Sequence, residues 1–333
     1  MTPQRFKAMV VTETPEKTFQ RGIQERAIDQ LPEGAVLVRV HYSSLNYKDA
    51  LSATGNKGVT RRYPHTPGID AAGVVAAGSS PDFSPGDEVI VTSYDLGMNT
   101  AGGFGEYIRV PAEWVVKRPS GLSLRESMIY GTAGFTAGLA ILKLTAAGLT
   151  PAAGEVLVTG ATGGVGSLAV AILAHLGFNV VGVSGKPQGA DFLARLGAKE
   201  TISREASIDS SGRPLLRGRW AGVVDTVGGE MLATALKSTD LNGTLTCCGN
   251  VGGPALNTTV FPFILRGVGL LGIDSQNCPM NQRQQVWQEL AAAWRPEALA
   301  SLADEVDLEG LDPKIDQILA GGLTGRVVVN LNP

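Results

Sequence analysis

The sequence predicts an α/β protein of two domains, one mainly β and one built on a doubly wound parallel sheet. The chain has 333 residues, and single hydrophobic cores rarely grow beyond about 250–300 residues. Its first third consists of short strands separated by proline and glycine. From about residue 122 onward, helical and strand patterns alternate, which is typical of βαβ units on a parallel sheet.

Apolar patterns predict the order of the elements. In the N-terminal part, strands are predicted over residues 8–12, 35–43, 71–76, 88–92 and 106–110. The alternating part is predicted to run helix 128–143, strand 155–159, helix 165–176, strand 180–184, helix 188–196, strand 201–203, strand 222–225, helix 230–237 and strands 243–248 and 268–273. A polar helix over 279–294 and a β-rich tail over 325–331 follow. We expect the tail to return to the N-terminal domain, which gives domains of 1–122 with 298–333, and of 123–297.

The composition predicts a globular protein. Charged residues make up 18% of the chain and hydrophobic residues 44%, which does not fit a disordered chain. The formal net charge of −3 provides no general attraction to nucleic acid or to an anionic membrane. The N-terminus does not resemble a signal peptide, and charged, polar and glycine residues interrupt the apolar windows 129–144 and 165–183. We therefore expect a cytoplasmic protein without a membrane span.

A glycine-rich turn between a strand and a helix indicates a dinucleotide site. The apolar strand 155–159 leads into Ala161-x-Gly163-x-x-Gly166 and then a helix of small residues. Gly163 lets the backbone approach a pyrophosphate, Gly166 lets the helix pack closely, and the free N–H groups of the helix N-terminus face the anion. A tight turn without a ligand is the alternative interpretation.

The end of the next strand predicts NADPH as the cofactor. NAD enzymes usually carry an acidic residue about twenty residues after the glycine turn, and that acid is missing here. Ser184 and Gly185 leave room for a 2′-phosphate, while Lys186 and Arg204 offer cations. An ordinary solvated loop lysine is the alternative for Lys186.

Several segments together resemble the medium-chain dehydrogenase/reductase superfamily over essentially the full length. SSLNYKDAL (43–51), PGIDAAGVV (67–75), PGDEV (85–89), GGFGEY (102–107) and GTAGFTA (131–137) are similar to its quinone oxidoreductases. Within that group, SLNYKD (44–49), SGK (184–186), PFILR (262–266) and GR (325–326) resemble the acrylyl-CoA reductase branch. The resemblance implies a GroES-like catalytic domain, a Rossmann domain and NADPH-dependent hydride transfer to the β-carbon of an enoyl thioester.

The resemblance also implies which residues contact the cofactor. Thr162, Gly163, Gly164 and Val165, with Gly166, correspond to the pyrophosphate site, and Ser184, Gly185, Lys186 and Arg204 to the 2′-phosphate site. On the nicotinamide side, it implies Thr132, Asn250, Asp274, Ser275 and Arg326. Asn250 and the Asp274-Ser275 pair follow predicted strands, where open α/β sheets bind ligands. For Arg326, a solvated or ion-paired residue is the alternative.

No metal site is expected. Zinc alcohol dehydrogenases of the superfamily carry a cysteine where this chain has Ser43-Ser44, and a Gly-His-Glu where it has Gly68-Ile69-Asp70. The chain has three histidines, His41, His65 and His175, and we expect His175 to be partly buried on its helix. Its three cysteines, Cys247, Cys248 and Cys278, show neither disulfide nor zinc-site spacing.

Without a metal, the expected reaction is reduction of a double bond conjugated to a carbonyl, where donors stabilise the enolate. Asn46, Tyr47 and Lys48 follow a predicted strand, and Tyr47 is the expected proton donor or enolate clamp. Tyr63 is a second candidate donor, and Asp70 is expected to orient Lys48 or Tyr47. As alternatives, Asn46 holds the turn, Asp49 caps a helix at Ala50 and Asp70 is a plain structural carboxylate. Tyr47 is alternatively a packing residue whose hydroxyl contacts only the cofactor, and we also expect it among the cofactor-binding residues.

Two alternative functions, the binding of coenzyme A and the formation of a homodimer stay open. An NADPH:quinone oxidoreductase would share every cofactor residue, and a crystallin-like protein would bind NADPH without catalysis. Arg61, Arg62 and Arg266 are candidate cations for coenzyme A, with solvated surface charge as the alternative. Related proteins commonly pair an edge strand into a homodimer, and strand 268–273 is the candidate here.

Overall fold

The computed structural model describes residues 4–332, which form two compact units. The first unit contains residues 4–132, Gln276–Gln284 and 300–332, and the second contains Ala133–Ser275 and Gln285–Leu299. This division differs from the predicted boundaries, because residues 123–132 and 276–284 belong to the first unit. The reason is side-chain bonding: Thr132 is hydrogen-bonded to Asp70, and Arg283 to Thr92.

Short strands and one helix make up the N-terminal part of the first unit. They are β1 (Arg5–Glu13), β2 (Phe19–Ala27), β3 (Val36–Ser44), α1 (Tyr47–Ala53), β4 (Asp70–Gly78), β5 (Glu88–Thr92), β6 (Tyr107–Val110) and β7 (Val115–Lys117). Antiparallel pairing joins β3, β4, β5 and β7 in that order, and β6 pairs with β3. Val36, Val38 and Val40 of β3 are buried in the core, as alternation along a strand with one face inward requires.

The chain from α2 (Leu124–Ala146) to α7 (Met280–Ala291) alternates helices and strands and forms most of the second unit, while the first residues of these two helices belong to the first unit. In chain order the elements are α2 (Leu124–Ala146), β8 (Glu155–Val158), α3 (Gly164–His175), β9 (Asn179–Val183), α4 (Gly189–Arg195), β10 (Glu200–Ile202), β11 (Trp220–Asp225), α5 (Gly229–Ser238), β12 (Thr239–Cys247), α6 (Phe261–Arg266), β13 (Gly269–Gly272) and α7 (Met280–Ala291). The six strands form one parallel sheet in the order β10-β9-β8-β11-β12-β13. This is the 3-2-1-4-5-6 order of dinucleotide-binding sheets, and it confirms the predicted doubly wound sheet.

The C-terminal segment returns to the first unit, as predicted. It contains β14 (Ala303–Val306), α8 (Leu311–Leu319) and β15 (Arg326–Asn330). β15 pairs antiparallel with β3, with Val328 opposite Ser44, and β14 pairs parallel with β15. The predicted tail therefore completes the first unit's sheet.

Several elements are absent from the prediction: β2, α1, β7, α6, β14 and α8. Most of them are short, and β2 (FQRGIQERA) lacks a clear alternation of apolar residues. α1 has seven residues, too few for a helical period to stand out. His175, expected to be partly buried, is exposed.

Helix α2 is, among the described residues, the one helix long and apolar enough to cross a membrane by length and composition. In the structure 78% of its most apolar window is buried. Its backbone is also broken at Gly131, where φ is 50° and ψ is −154°. These properties are those of a buried core helix with a sharp break.

Candidate active site

The turn between β3 and α1 fixes the predicted donor segment. Asn46 precedes the first residue of α1 with extended backbone angles, and its N–H donates to Asp49 Oδ2 at 2.8 Å. The other carboxylate oxygen of Asp49 accepts the Ile69 N–H at 2.8 Å. Asn46 thus holds the turn, and Asp49 lies in the first turn of the helix rather than capping it at Ala50.

Asp70, the first residue of β4, is itself fully buried and lies at the centre of a mostly buried group of polar side chains. It accepts hydrogen bonds from Ser44 Oγ at 2.6 Å and Asn46 Nδ2 at 2.7 Å. The Thr132 hydroxyl and amide donate to Asp70 Oδ1 at 2.6 and 2.9 Å. We call Ser44, Asn46, Asp70, Thr132 and Arg326 the Asp70 network.

Arg326, the first residue of β15, supplies the positive charge of this network. Its side chain is 3% exposed, and Nη2 lies 3.8 Å from Asp70 Oδ2. Nη2 donates to Ser44 Oγ at 2.8 Å, Nη1 to Leu45 O and Asn46 Oδ1, and Nε to Ile129 O. The guanidinium is therefore used within the first unit, and its predicted cofactor contact has no support among these bonds.

Burial governs the charges here. Burial and, next, the negative charge of Asp70 together raise the pKa of Asp49 to about 7, against the hydrogen bonds from Asn46 and Ile69. Burial also lowers the pKa of Arg326, while Asp70 and Asp49 oppose that shift. The pKa of Asp49 therefore lies near neutral pH because the carboxyl is buried beside a second carboxylate.

Tyr47 and Lys48 differ from their neighbours because they point away from the buried network. The Tyr47 side chain is 44% exposed. Lys48 is half-buried, and its Nζ donates to Gln276 Oε1 at 2.9 Å. Asp70 contacts neither of them in the hydrogen bonds above, so the expectation that it orients Lys48 or Tyr47 is not met. It orients Ser44, Asn46 and Thr132 instead.

Tyr63 lies apart from the Asp70 network. Its hydroxyl donates to Ser52 O at 2.7 Å, and its ring packs 4.8 Å from the ring of Phe19. Burial raises the pKa of Tyr63. With its hydroxyl bonded to a backbone carbonyl, Tyr63 is a weaker candidate for proton donor than Tyr47.

In the second unit, the glycine turn leads from β8 into α3. Gly160 has a left-handed φ of 58°, and Gly163 precedes the helix without a side-chain cap. The first N–H groups of α3, on Gly164, Val165 and Gly166, have no partner within the helix. A helix start without a side-chain cap suits an anion.

The two glycines of the predicted motif serve different purposes. A Cβ on Gly166 would lie 2.3 Å from Gly160 O, so the close packing of α3 requires glycine there. A Cβ on Gly163 would meet Gly160 O at 3.3 Å, so protein packing constrains that position less strongly than Gly166. The packing role predicted for Gly166 is confirmed, and the ligand-facing role of Gly163 stays a prediction.

The end of β9 places two cations together. A Cβ on Gly185 would lie 2.9 Å from Arg204 Nε, so the Arg204 side chain lies directly over Gly185. Burial lowers the pKa of Lys186, and the positive charge of Arg204 lowers it further. Ser184 Oγ accepts the Lys186 N–H at 3.1 Å. Two neighbouring cations repel each other, and an anion bound between them would relieve that repulsion. We call Lys186 and Arg204 the cation pair.

The remaining predicted cofactor residues follow strands of the same sheet or belong to the first unit. Thr162 is buried in the glycine turn, Asn250 is exposed after β12, and Asp274 and Ser275 follow β13. Thr132 lies in the first unit, where its hydroxyl also bonds to Ser93 Oγ at 2.9 Å. Ser44, Ser93, Gln276 and Arg283 were not predicted, because they act through contacts distant in sequence.

The candidate coenzyme A cations also differ from one another. Arg266 Nη1 donates to the carbonyls of Lys237 and Thr239, and Nη2 donates to Leu216 O. Arg266 therefore binds backbone carbonyls at the end of α5, at the start of β12 and before β11, and it is a poor candidate for phosphate binding. Arg61 and Arg62 are exposed.

The described side chains of the first unit's buried site do not form a metal site. Within residues 4–332, no group of three or more His, Cys, Asp or Glu side chains could hold a metal ion. Ser44 and Asp70 are hydrogen-bonded to each other beside the Arg326 guanidinium. A metal cation there would have to displace a buried positive charge.

Two family models match the chain. Residues 32–120 match the alcohol dehydrogenase GroES-like domain, and residues 164–293 match the zinc-binding dehydrogenase domain. "Putative quinone oxidoreductase YhfP" of Bacillus subtilis is 47% identical over 91% of this chain and 92% of its own. Acrylyl-CoA reductase AcuI of Ruegeria pomeroyi is 44% identical over 98% of this chain and 99% of its own.

Solved structures give the same result. The YhdH oxidoreductase of Salmonella enterica in complex with NADP is 43% identical, covers 98% of this chain and 100% of its own, and has a TM-score of 0.95. YhfP of Bacillus subtilis with NAD bound has the same identity and coverage and a TM-score of 0.96. The chain therefore belongs to the medium-chain dehydrogenase/reductase superfamily, in the branch that contains acrylyl-CoA reductases and YhfP-type quinone oxidoreductases.

Proposed function

We propose that this protein reduces the activated C=C bond of a short enoyl-CoA, such as acryloyl-CoA to propionyl-CoA, with NADPH and without a metal. The observation that carries the proposal is the contrast at α1. Exposed Tyr47 and half-buried Lys48 project from a turn that the mostly buried Asp70 network holds in place. The relative named acrylyl-CoA reductase, which matches nearly the full length, supports this substrate class.

The chain's own residues stabilise charge and move one proton. NADPH, when bound, supplies the hydride for the β-carbon of the substrate. Negative charge then develops on the thioester oxygen, where the Lys48 ammonium and the Tyr47 hydroxyl act as donors. Tyr47 is the proposed source of the proton that goes to the α-carbon. Asn46 and Asp70 take no proton and hold the turn.

NADPH is the proposed cofactor because the cation pair stands where an NAD enzyme usually carries an acid. Ser184 and the cation pair would hold the 2′-phosphate, and the N-terminus of α3 would hold the pyrophosphate. Thr162, Asn250, Asp274 and Ser275 complete the proposed contacts. The NAD-bound structure of YhfP makes NADH the necessary comparison.

An NADPH:quinone oxidoreductase is the second candidate, favoured by the name of YhfP. The deciding experiment follows NADPH oxidation with acryloyl-CoA, crotonyl-CoA and benzoquinone side by side. Preference for acryloyl-CoA supports the proposal, and quinone turnover without thioester turnover replaces it. Tyr47→Phe should then lower kcat with the best acceptor at least tenfold, while Tyr63→Phe should change it little.

The proposal includes a cytoplasmic homodimer. Free cysteines Cys247, Cys248 and Cys278 fit a reducing compartment. Strand β13 is an edge of the parallel sheet, and the helix before it exposes Ile264 and Leu265. An edge strand beside exposed apolar side chains suits pairing with a second copy. Light scattering at micromolar concentration should give twice the chain mass, and a monomeric mass would contradict it.

A further inference from the structure

The Lys48 ammonium is directed by a residue far away in the sequence. Nζ donates to Gln276 Oε1 at 2.9 Å across 228 residues of chain. Lysine has a flexible four-carbon stem, and its head group samples many positions unless an acceptor holds it. Gln276 is the first residue of the segment Gln276–Gln284, which belongs to the first unit together with Lys48.

Gln276 is itself held by Arg283. Arg283 Nη2 donates to Gln276 O at 3.3 Å, and Nη1 donates to Thr92 O at 3.1 Å and Thr92 Oγ1 at 3.0 Å. The Arg283 side chain is 0% exposed. A buried guanidinium with these bonds has one available geometry, so it fixes where the Gln276 backbone lies.

An aromatic stack and a turn with two left-handed residues hold Arg283 in place. Its guanidinium lies 4.3 Å from the centroid of the Tyr94 ring, which stacks on Trp114 at 5.5 Å. Ser93 and Tyr94 both have left-handed φ values, 65° and 52°. Such backbone is costly outside glycine and persists only where the surroundings enforce it. Ser93 Oγ bonds to Thr132 Oγ1 at 2.9 Å, which joins this turn to the Asp70 network.

We propose that Gln276 is a positioning residue that aims the Lys48 ammonium, and that Arg283 positions Gln276. The inference rests on the proposed role of Lys48 toward the substrate oxygen. A neutral amide suits this task, because it accepts one N–H of the ammonium without neutralising the charge. The other two N–H groups and the full positive charge stay available for a developing enolate.

The test is a double-mutant cycle with acryloyl-CoA and NADPH. Gln276→Met keeps the length of the side chain and removes the acceptor, and we expect kcat to fall about tenfold with KM for NADPH unchanged. The kcat of Lys48→Met should fall at least as far. Adding Gln276→Met to that variant should lower kcat no further. Gln284→Met, at an exposed glutamine of the same segment, is the matched control and should match the wild type.

A charged variant of Gln276, a titration of Lys48 and a variant of Arg283 complete the test. Gln276→Glu keeps an acceptor but partly neutralises the ammonium, so kcat should lie between that of Gln276→Met and that of the wild type. The added negative charge should also raise the pKa of Lys48, which NMR of the ¹³C-methylated lysine can follow. Arg283→Lys, checked for folding by circular dichroism, should lower kcat in the same way as Gln276→Met.

The outcomes separate this inference from the proposed function. Additive losses in the cycle, or a Lys48 pKa that does not respond to Gln276→Glu, would overturn the positioning role. A wild type that reduces only quinones would overturn the proposed function. In that case the cycle is run with the quinone and the Lys48 titration still decides whether Gln276 controls the ammonium.

Discussion

The Asp70 network of the first unit and the cation pair of the second represent two opposite uses of charge. In the network, Arg326 donates to three backbone or side-chain oxygens besides Ser44, and the Asp70 carboxylate accepts from Ser44, Asn46 and Thr132. At the cation pair, like charges lie close together, and the positive charge of Arg204 lowers the pKa of Lys186 in addition to burial. The charges of the Asp70 network compensate one another without a ligand. The repulsion within the cation pair would be relieved by a bound anion.

This difference assigns different roles to the two regions. Hydrogen-bonded charges inside a protein hold geometry, because moving any one of them leaves another uncompensated. Partly exposed cations instead bind, since an incoming phosphate replaces water and relieves repulsion. Substitutions in the network should therefore lower stability, and substitutions at the cation pair should change affinity.

The largest effect is expected from Arg326→Met. It removes the buried positive charge beside Asp70 and Asp49, so the free energy of unfolding should fall by about 3–5 kcal/mol. Urea denaturation measures this, with the exposed Arg61→Met as the control that should stay within about 0.5 kcal/mol. A loss of stability for Arg326→Met as small as that of the control would contradict the structural role of the Asp70 network.

The two glycines of the phosphate turn separate a contribution to stability from a contribution to cofactor binding. Gly166→Ala should destabilise the protein by about 1–3 kcal/mol, because its Cβ would lie 2.3 Å from Gly160 O. Gly163→Ala should lower the melting temperature of the cofactor-free protein less than Gly166→Ala does, and it should weaken NADPH binding about tenfold, or about 1.4 kcal/mol. Calorimetry should show the larger loss of stability in Gly166→Ala, and titration should show the weakened NADPH binding in Gly163→Ala. Equal loss of stability in both would contradict the ligand-facing role of Gly163.

Lys186→Met and Arg204→Met test the cation pair itself. Each should weaken NADPH roughly tenfold, because a charge-assisted bond to the 2′-phosphate is lost, and each should leave NADH unchanged. Fluorescence titration with both cofactors measures the ratio. Lys199→Met, an exposed lysine of the same unit, should alter neither. Parallel losses for NADPH and NADH would point to a general effect on folding.

The smallest effect concerns pH. The pKa of Asp49 is raised from 3.8 to about 7 in the folded protein, so the folded state binds this proton more tightly than the unfolded state. That contribution to stability is complete below pH 3.8 and is lost as pH rises through about 7. Relative to Asp49→Asn, the wild type should lose about 1 kcal/mol between about pH 6 and pH 8. Parallel pH curves for the two proteins would be inconsistent with a buried, titrating Asp49.

Local patterns predicted most of the fold. Glu88–Thr92 matches its predicted bounds, and β8, α3 and β9 fall within about a residue of theirs. These elements have strong periodicity and clear punctuation by glycine. Elements with weak patterns, such as β2 and α1, were missed, because their stability comes from pairing and packing rather than from their own sequence.

The candidate site was predicted unevenly for the same reason. Gly166 and the cation pair belong to short segments whose spacing carries the information. The role of Asn46 toward Asp70 was not predicted, and neither was the burial of Arg326, since both depend on residues that meet only when β3, β4 and β15 pair.

The sequence by itself determined the two-domain class, the doubly wound sheet, the glycine turn and the cations at the end of β9. These features arise from contacts between neighbours along the chain, which residue order specifies directly. Tertiary structure alone decided that Asp70 orients Asn46 rather than Lys48, that Gln276 meets Lys48 across 228 residues, and that residues 276–284 join the first unit. Which distant side chains meet depends on the packing of whole elements, because a buried polar group bonds to whatever donor the fold places beside it.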